Sequence, residues 1–143
     1  PLPDLELAER HQIGTYADFC NDCGNCDVFC PEDGGPYRLK PHVFGTEAGW
    51  RAHPERDGFY FERTNERDLA LGRFEGEDVR LEIRAGEIVY AGKDFDVRFR
   101  ENDPEGTLQA RGPDTIDLTR YAILDHLRRM LLSPTDVNYI NCR

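Results

Sequence analysis

The chain has 143 residues, 38% hydrophobic and 32% charged, with eight Phe and six Tyr, which suits one core-bearing domain and excludes a disordered chain. Its formal net charge of −10 argues against nucleic acid, whose phosphates it would repel. No apolar run approaches the ~20 residues of a membrane span and no signal peptide is visible, so a soluble, cytoplasmic protein with no membrane partner is expected.

Residues 1–10, PLPDLELAER, read as a tail or linker. HQIGTY (11–16) reads as a short strand leading into a dense cysteine run, Cys20, Cys23, Cys26 and Cys30. From Pro31 to Pro54 the sequence is rich in Gly, Pro and His, with little periodicity. This predicts a long irregular wrap pinned by Phe44 and the single tryptophan, Trp50. Residues 58–100 carry β patterning. GFYFER and LALGRF are short candidate strands. In VRLEIRAGEIVYAG, Val79, Leu81 and Ile83 alternate with charges and Ala85-Gly86 falls at the bend of a hairpin. FDVRFR sets Phe95, Val97 and Phe99 on one face and Asp96, Arg98 and Arg100 on the other. One wet and one buried face make antiparallel pairing the natural expectation. ENDPEG (101–106) is a turn, and DTIDLTRYAILDHLRRMLLSP (114–134) predicts a helix. Leu118, Ala122, Leu124, Leu127 and Leu131 form its apolar face, and Asp114, Thr115 or Asp117 is its cap. Arg128 and Arg129 suit its C-terminal end, and Ser133-Pro134 stops it.

Chemistry concentrates in the cysteine run. Cys20, Cys23, Cys26 and Cys30, followed by Pro31, spell C-x2-C-x2-C-x3-C-P, the bacterial ferredoxin spacing for a cubane 4Fe-4S cluster. Two-residue gaps make a loop tight enough for three thiolates to converge, while the intervening amides can aim at the cluster sulfurs. Gly24 allows close backbone approach, and Asn21, Asp22 and Asn25 are small or polar. The four cysteines are therefore candidate cluster-binding and metal-ligating residues. The rival reading is a non-enzymatic binding module stapled by a structural four-cysteine zinc site, because zinc also uses C-x2-C knuckles. Zinc ribbons and fingers usually set two such knuckles well apart, whereas here all four thiols stand in one run. Disulfides are disfavoured by the crowding and by the missing secretory signal. In two-cluster ferredoxins the fourth cysteine serves the other cluster, which would send Cys30 to a second site and leave Cys142 as the one further thiol.

Nothing else in the sequence forms a reaction centre. His11, His42, His53 and His126 are scattered without metal-binding spacing and read as surface or core residues. There is no G-x-G-x-x-G for a dinucleotide and no serine in a nucleophile elbow.

The C-N-D-C-G-N-C core at 20–26, Phe29-Cys30-Pro31, Gly35-Pro36-Tyr37 and the later Gly58-Phe59 carry a family resemblance. Over residues 11–41 the chain resembles the C-terminal ferredoxin region of the selenate reductase large subunit family. These are flavin and iron–sulfur oxidoreductases related to the glutamate synthase small subunit and dihydropyrimidine dehydrogenase. The resemblance implies that Cys20, Cys23, Cys26 and Cys30 are cluster ligands. It further implies that a second cysteine run, with FAD and NADPH sites, lies upstream or on a partner subunit. A chain that begins at Pro1 would then be a piece of a longer protein or a subunit that borrows its other half, with no complete active site of its own. The expected architecture is α+β: half of a bacterial-type ferredoxin, a cluster loop plus short helix, joined to a small antiparallel β-sheet and a C-terminal helix. Its expected divisions are a tail (1–10), a cluster-binding segment (11–41) and a β-rich domain with the helix (42–143). The expected function is one-electron relay through a 4Fe-4S cluster.

Overall fold

The computed structural model describes Glu6, residues 14–29 and residues 40–142. Among the described residues it is built on one mixed sheet of eight strands: β1 (Thr15–Tyr16), β2 (His42–Phe44), β3 (Gly58–Arg63), β4 (Asp68–Phe74), β5 (Glu77–Arg84), β6 (Glu87–Ala91), β7 (Asp96–Arg100) and β8 (Gln109–Arg111). Spatial order follows chain order. The β1–β2 and β2–β3 pairs are parallel, and every later pair is antiparallel. The described helices are α1 (Asn25–Phe29), α2 (Glu47–Ala52), the single turn α3 (Pro104–Thr107) and α4 (Thr119–Leu131), with a 3-10 turn at Ala17–Phe19.

This sheet corrects the expected half-ferredoxin joined to a small antiparallel sheet. The sheet is larger, mixed, and takes in Thr15–Tyr16 from the segment assigned to the cluster loop. The physical reason is that alternation reports which face a residue occupies and says nothing about the direction of the neighbouring strand. The expected wrap at 31–54 likewise contains β2 and α2 in its described part. A strand of three residues is too short for its pattern to register, and α2 starts from a local device, the Thr46 hydroxyl accepting from Gly49 N at 3.0 Å.

The main core lies between the sheet and α4. Phe59, Phe61, Ala70, Val79, Leu81, Ile88, Tyr90, Val97 and Phe99 face Tyr121 and Leu124 of the helix. Burying each large apolar side chain contributes about 1.5–3 kcal/mol. The helix sits close over β4: a Cβ on Gly72 would come within 2.9 Å of Leu124. Sequence periodicity placed Leu118, Ala122, Leu127 and Leu131 on this face, yet those four are half-buried, and the buried set includes Asp125 and Arg128. The charged pair is admitted because Arg128 bonds Asp68 of β4 at 2.6 Å and Asp125 at 2.7 Å, while Arg63 holds Asp68 with two bonds of 2.7 Å. The expected cap at Asp114, Thr115 or Asp117 is not formed: Leu118 is the N-cap without a side-chain bond, and Asp117 just before it accepts from the Thr119 amide at 2.8 Å in a local turn.

A second cluster lies on the opposite face. There α2 brings Trp50, with Phe44, onto Tyr60, Leu69 and Leu71. Trp50 Nε1 donates to Gly58 O at 3.2 Å, and the buried Arg73 guanidinium stacks 4.3 Å from the indole centroid. Two hairpins turn through pairs of left-handed residues, Glu75-Gly76 (φ 53° and 78°) and Ala85-Gly86 (φ 49° and 77°), as two-residue loops with the twist of a sheet require. Among the described residues no helix is long and apolar enough to cross a membrane.

Candidate functional site

The cysteine run begins where β1 ends. Tyr139 straps this point down: its hydroxyl donates to the Asp18 carboxylate at 2.6 Å, and its ring lies 4.6 Å from Phe19 and 5.6 Å from Tyr16. Cys20 follows the 3-10 turn and is half-buried, with its thiol 3.4 Å from Asp22 Oδ1. Asn21 Oδ1 accepts from the Cys23 amide at 3.3 Å. Asp22 (φ 55°) and Gly24 (φ 75°) are both left-handed, which folds the segment between Cys20 and Asn25 tightly. Cys23 is exposed, and half-buried Cys26 rides on α1. Phe19 and Val28 flank the run as exposed apolar side chains.

Cys20, Cys23, Cys26 and Cys142 are free thiols. Cys30 lies outside the described residues, as do Pro31 and the Gly35-Pro36-Tyr37 element of the resemblance. Among the described residues no three His, Cys, Asp or Glu side chains gather where they could hold a metal ion. The donor set still fits an iron–sulfur cluster or zinc by its chemistry, being unbridged thiols on a tightly turned surface loop. Cys142 stands three residues beyond Tyr139 and its thiol donates to the Tyr139 carbonyl at 3.6 Å.

The loop is tied to the sheet by a contact that sequence spacing does not disclose. Asp22 pairs with Arg56, 34 positions away. The Arg56 hydrogen bond, aided by that of the Cys20 thiol, holds the Asp22 carboxyl below the usual carboxylate range, and Asp22 in turn raises Arg56. These two residues form one wall of an open groove of about 890 Å³. His42 of β2 lines it, buried to 3% exposure, and its Nε2 has no hydrogen-bond partner among the described residues. Burial first, and then the Arg56 charge, lower the pKa of this imidazole.

His42 is the residue sequence reading passed over. The alternation of buried His42, half-buried Val43 and buried Phe44 was the available signal, hidden by the brevity of the strand. Of the other histidines, His53 is exposed with its Nδ1 3.2 Å from Glu55, His126 is exposed on α4, and His11 lies outside the described residues. No protein family, curated protein or solved structure matches this chain.

Proposed function

We propose that this chain is an iron–sulfur electron-transfer domain of a larger, cytoplasmic, flavin-dependent oxidoreductase of the kind its cysteine run resembles. The observation that carries the reading is the C-x2-C-x2-C-x3-C-P spacing of Cys20, Cys23, Cys26 and Cys30. The free state of the three described thiols and the tight turn at Asp22 and Gly24 support it. When bound, a 4Fe-4S cluster supplies the one-electron chemistry. The chain's own residues supply thiolates and hold the loop: Asn21 accepts from the Cys23 amide, Arg56 clamps Asp22, and Tyr139 anchors the entry at Asp18. FAD, NADPH and a second cysteine run belong, in this reading, to an upstream segment or a partner subunit.

The test is metal, labile-sulfide and absorption analysis of the full chain purified and reconstituted without oxygen. Iron with sulfide, and a broad brown absorption that fades on reduction, is the expected result. Stoichiometric zinc without labile sulfide overturns the reading in favour of a structural zinc module.

A further inference from the structure

Far from the cysteine loop, the sheet ends on an open edge. Gln109, Ala110 and Arg111 of β8 are all exposed, and among the described residues β7 is their one strand neighbour. The Arg100 amide donates to the hydroxyl of Thr107, which stands two residues before β8, so it points to the β8 side of β7. Amides alternate in direction along a strand. Arg98 and Asp96 therefore turn theirs to β8 as well, and the register sets them against Gln109 and Arg111. Ala110 is left with its N–H and C=O turned outward, where no described residue bonds them. An edge of this kind is a template for another strand.

The two faces beside the edge differ. Ala110 lies opposite Val97 on the side that α4 covers, and Leu108, just before the strand, is an exposed apolar side chain. Gln109 and Arg111 share the other face with Arg98, Arg100, Asp96 and Glu87. Arg98 holds Asp96 at 3.1 Å, whereas the Arg100 and Arg111 side chains have no partner among the described residues. Three arginines against two carboxylates make this face basic in a chain of net charge −10. A matching strand alternates acidic with apolar residues, and the chain contains one, Asp4-Leu5-Glu6-Leu7. Glu6, its described member, is exposed and belongs to no strand.

We propose that residues 4–7 of a second copy add to β8 as a further, antiparallel strand, joining copies of this chain tail to edge. Leu5 then stands opposite Ala110 and Leu7 opposite Leu108, while Asp4 meets Arg111 and Glu6 meets Gln109 beside the arginine face. The seven links from Leu7 to Gly14 reach about 25 Å, whereas β8 lies about 34 Å from β1 along the sheet. That difference favours a neighbour's segment over the chain's own. The contact uses no cysteine, so it stands independently of the iron–sulfur reading.

The experiment is sedimentation equilibrium of the full chain over a wide concentration range. The expected result is a mass that rises above the monomer with concentration and rises less in high salt. Reversing both tail charges, Asp4→Lys with Glu6→Lys, should weaken association about tenfold. Ala110→Pro should do the same, because it removes the outward N–H and leaves the bonds to β7 in place. Arg111→Glu should weaken association too, and mixing that variant with Asp4→Lys should restore part of it between the two. A labelled peptide of residues 1–10 should bind the doubly reversed variant and slow exchange of its Ala110 amide. The Arg111→Glu and peptide arms decide the matter if Ala110→Pro does not fold. A mass that stays monomeric while the peptide fails to bind overturns the proposal. Association that survives reversal of Asp4 and Glu6 overturns it as well, since copies would then meet through another surface, such as β8 on β8. An Ala110 amide already protected in dilute monomer would put the chain's own segment on the edge, with the same consequence.

Discussion

Arg128 is 8% exposed on α4 and bonds two carboxylates, Asp125 three residues away and Asp68 sixty residues away. In the sequence it is a cation at a helix end, and only the folded sheet discloses why it is buried. Removing one partner of a buried pair strands the other charge, so Arg128→Met should cost about 3–5 kcal/mol in urea unfolding. A loss below 1 kcal/mol would show that water already reaches the pair. Burial alone would raise the Asp68 carboxyl, but the hydrogen bonds from Arg63 and Arg128 outweigh it and hold its pKa low. The unfolded chain, with Asp near 3.9, therefore takes up the proton first, so the stability this group contributes is present above pH ~4. It should drain away as pH falls below that value, and Asp68→Asn should flatten that part of the stability curve. At the alkaline end, burial pushes Tyr90 and Tyr121 up to about 12. The stability they hold should be lost as pH rises from ~10 toward 12, and phenolate absorption should show both titrating above the ordinary tyrosine range.

Elements differed in how far their sequences disclosed them. The hairpin of β5 and β6 was legible because Val79, Leu81 and Ile83 alternate over a long strand and Ala85-Gly86 marks the turn. Ala85 pays for its left-handed backbone there, so Ala85→Asn should raise stability by up to about 1 kcal/mol, read as a higher melting temperature. An unchanged or lower melting point would mean the turn carries no strain. The second hairpin, through Glu75-Gly76, was not legible, since its key contact is the Asp57 carboxylate capping the turn from 18 residues upstream. The parallel edge was illegible for a similar reason: β2 is fixed by Gly58, where a Cβ would come within 2.3 Å of the His42 carbonyl oxygen. Gly58→Ala should therefore destabilise the β2–β3 pair by about 1–3 kcal/mol or more, with amide exchange rising first in β2. Gly72→Ala should cost a similar amount by lifting α4 off β4. Unchanged exchange in both variants would mean that these close approaches relax freely.

At the scale of the whole molecule, neither hydrophobic cluster contains a cysteine among the described residues. Replacing Cys20, Cys23, Cys26 and Cys30 together by serine should abolish iron binding and leave the sheet's circular dichroism and melting intact. Loss of the sheet signal would mean the metal staples the fold. Separate Cys30→Ser and Cys142→Ser variants then ask whether the run closes on itself. A cluster destroyed by the first alone makes it self-sufficient, while a labile cluster surviving in both supports ligands borrowed from elsewhere. The thiols were legible because their spacing is local. The Asp22–Arg56 tie and the His42 groove were not, because they join segments that meet only through the sheet. The sheet's parallel edge has a wider meaning. The chain departs from Tyr16 and returns at His42, and those ends are already side by side, Thr15 opposite His42 and Tyr16 opposite Val43. Everything between is an excursion from a closed gate. Doubling its length would cost only about 0.6 kcal/mol in closure entropy. Natural variation or an engineer could therefore exchange most of the excursion, cysteine loop included, as a cassette; among the described residues the scaffold would register the change where Ala17 packs on the second cluster, Phe19 meets the Tyr139 ring, and Tyr139 and Arg56 hold Asp18 and Asp22.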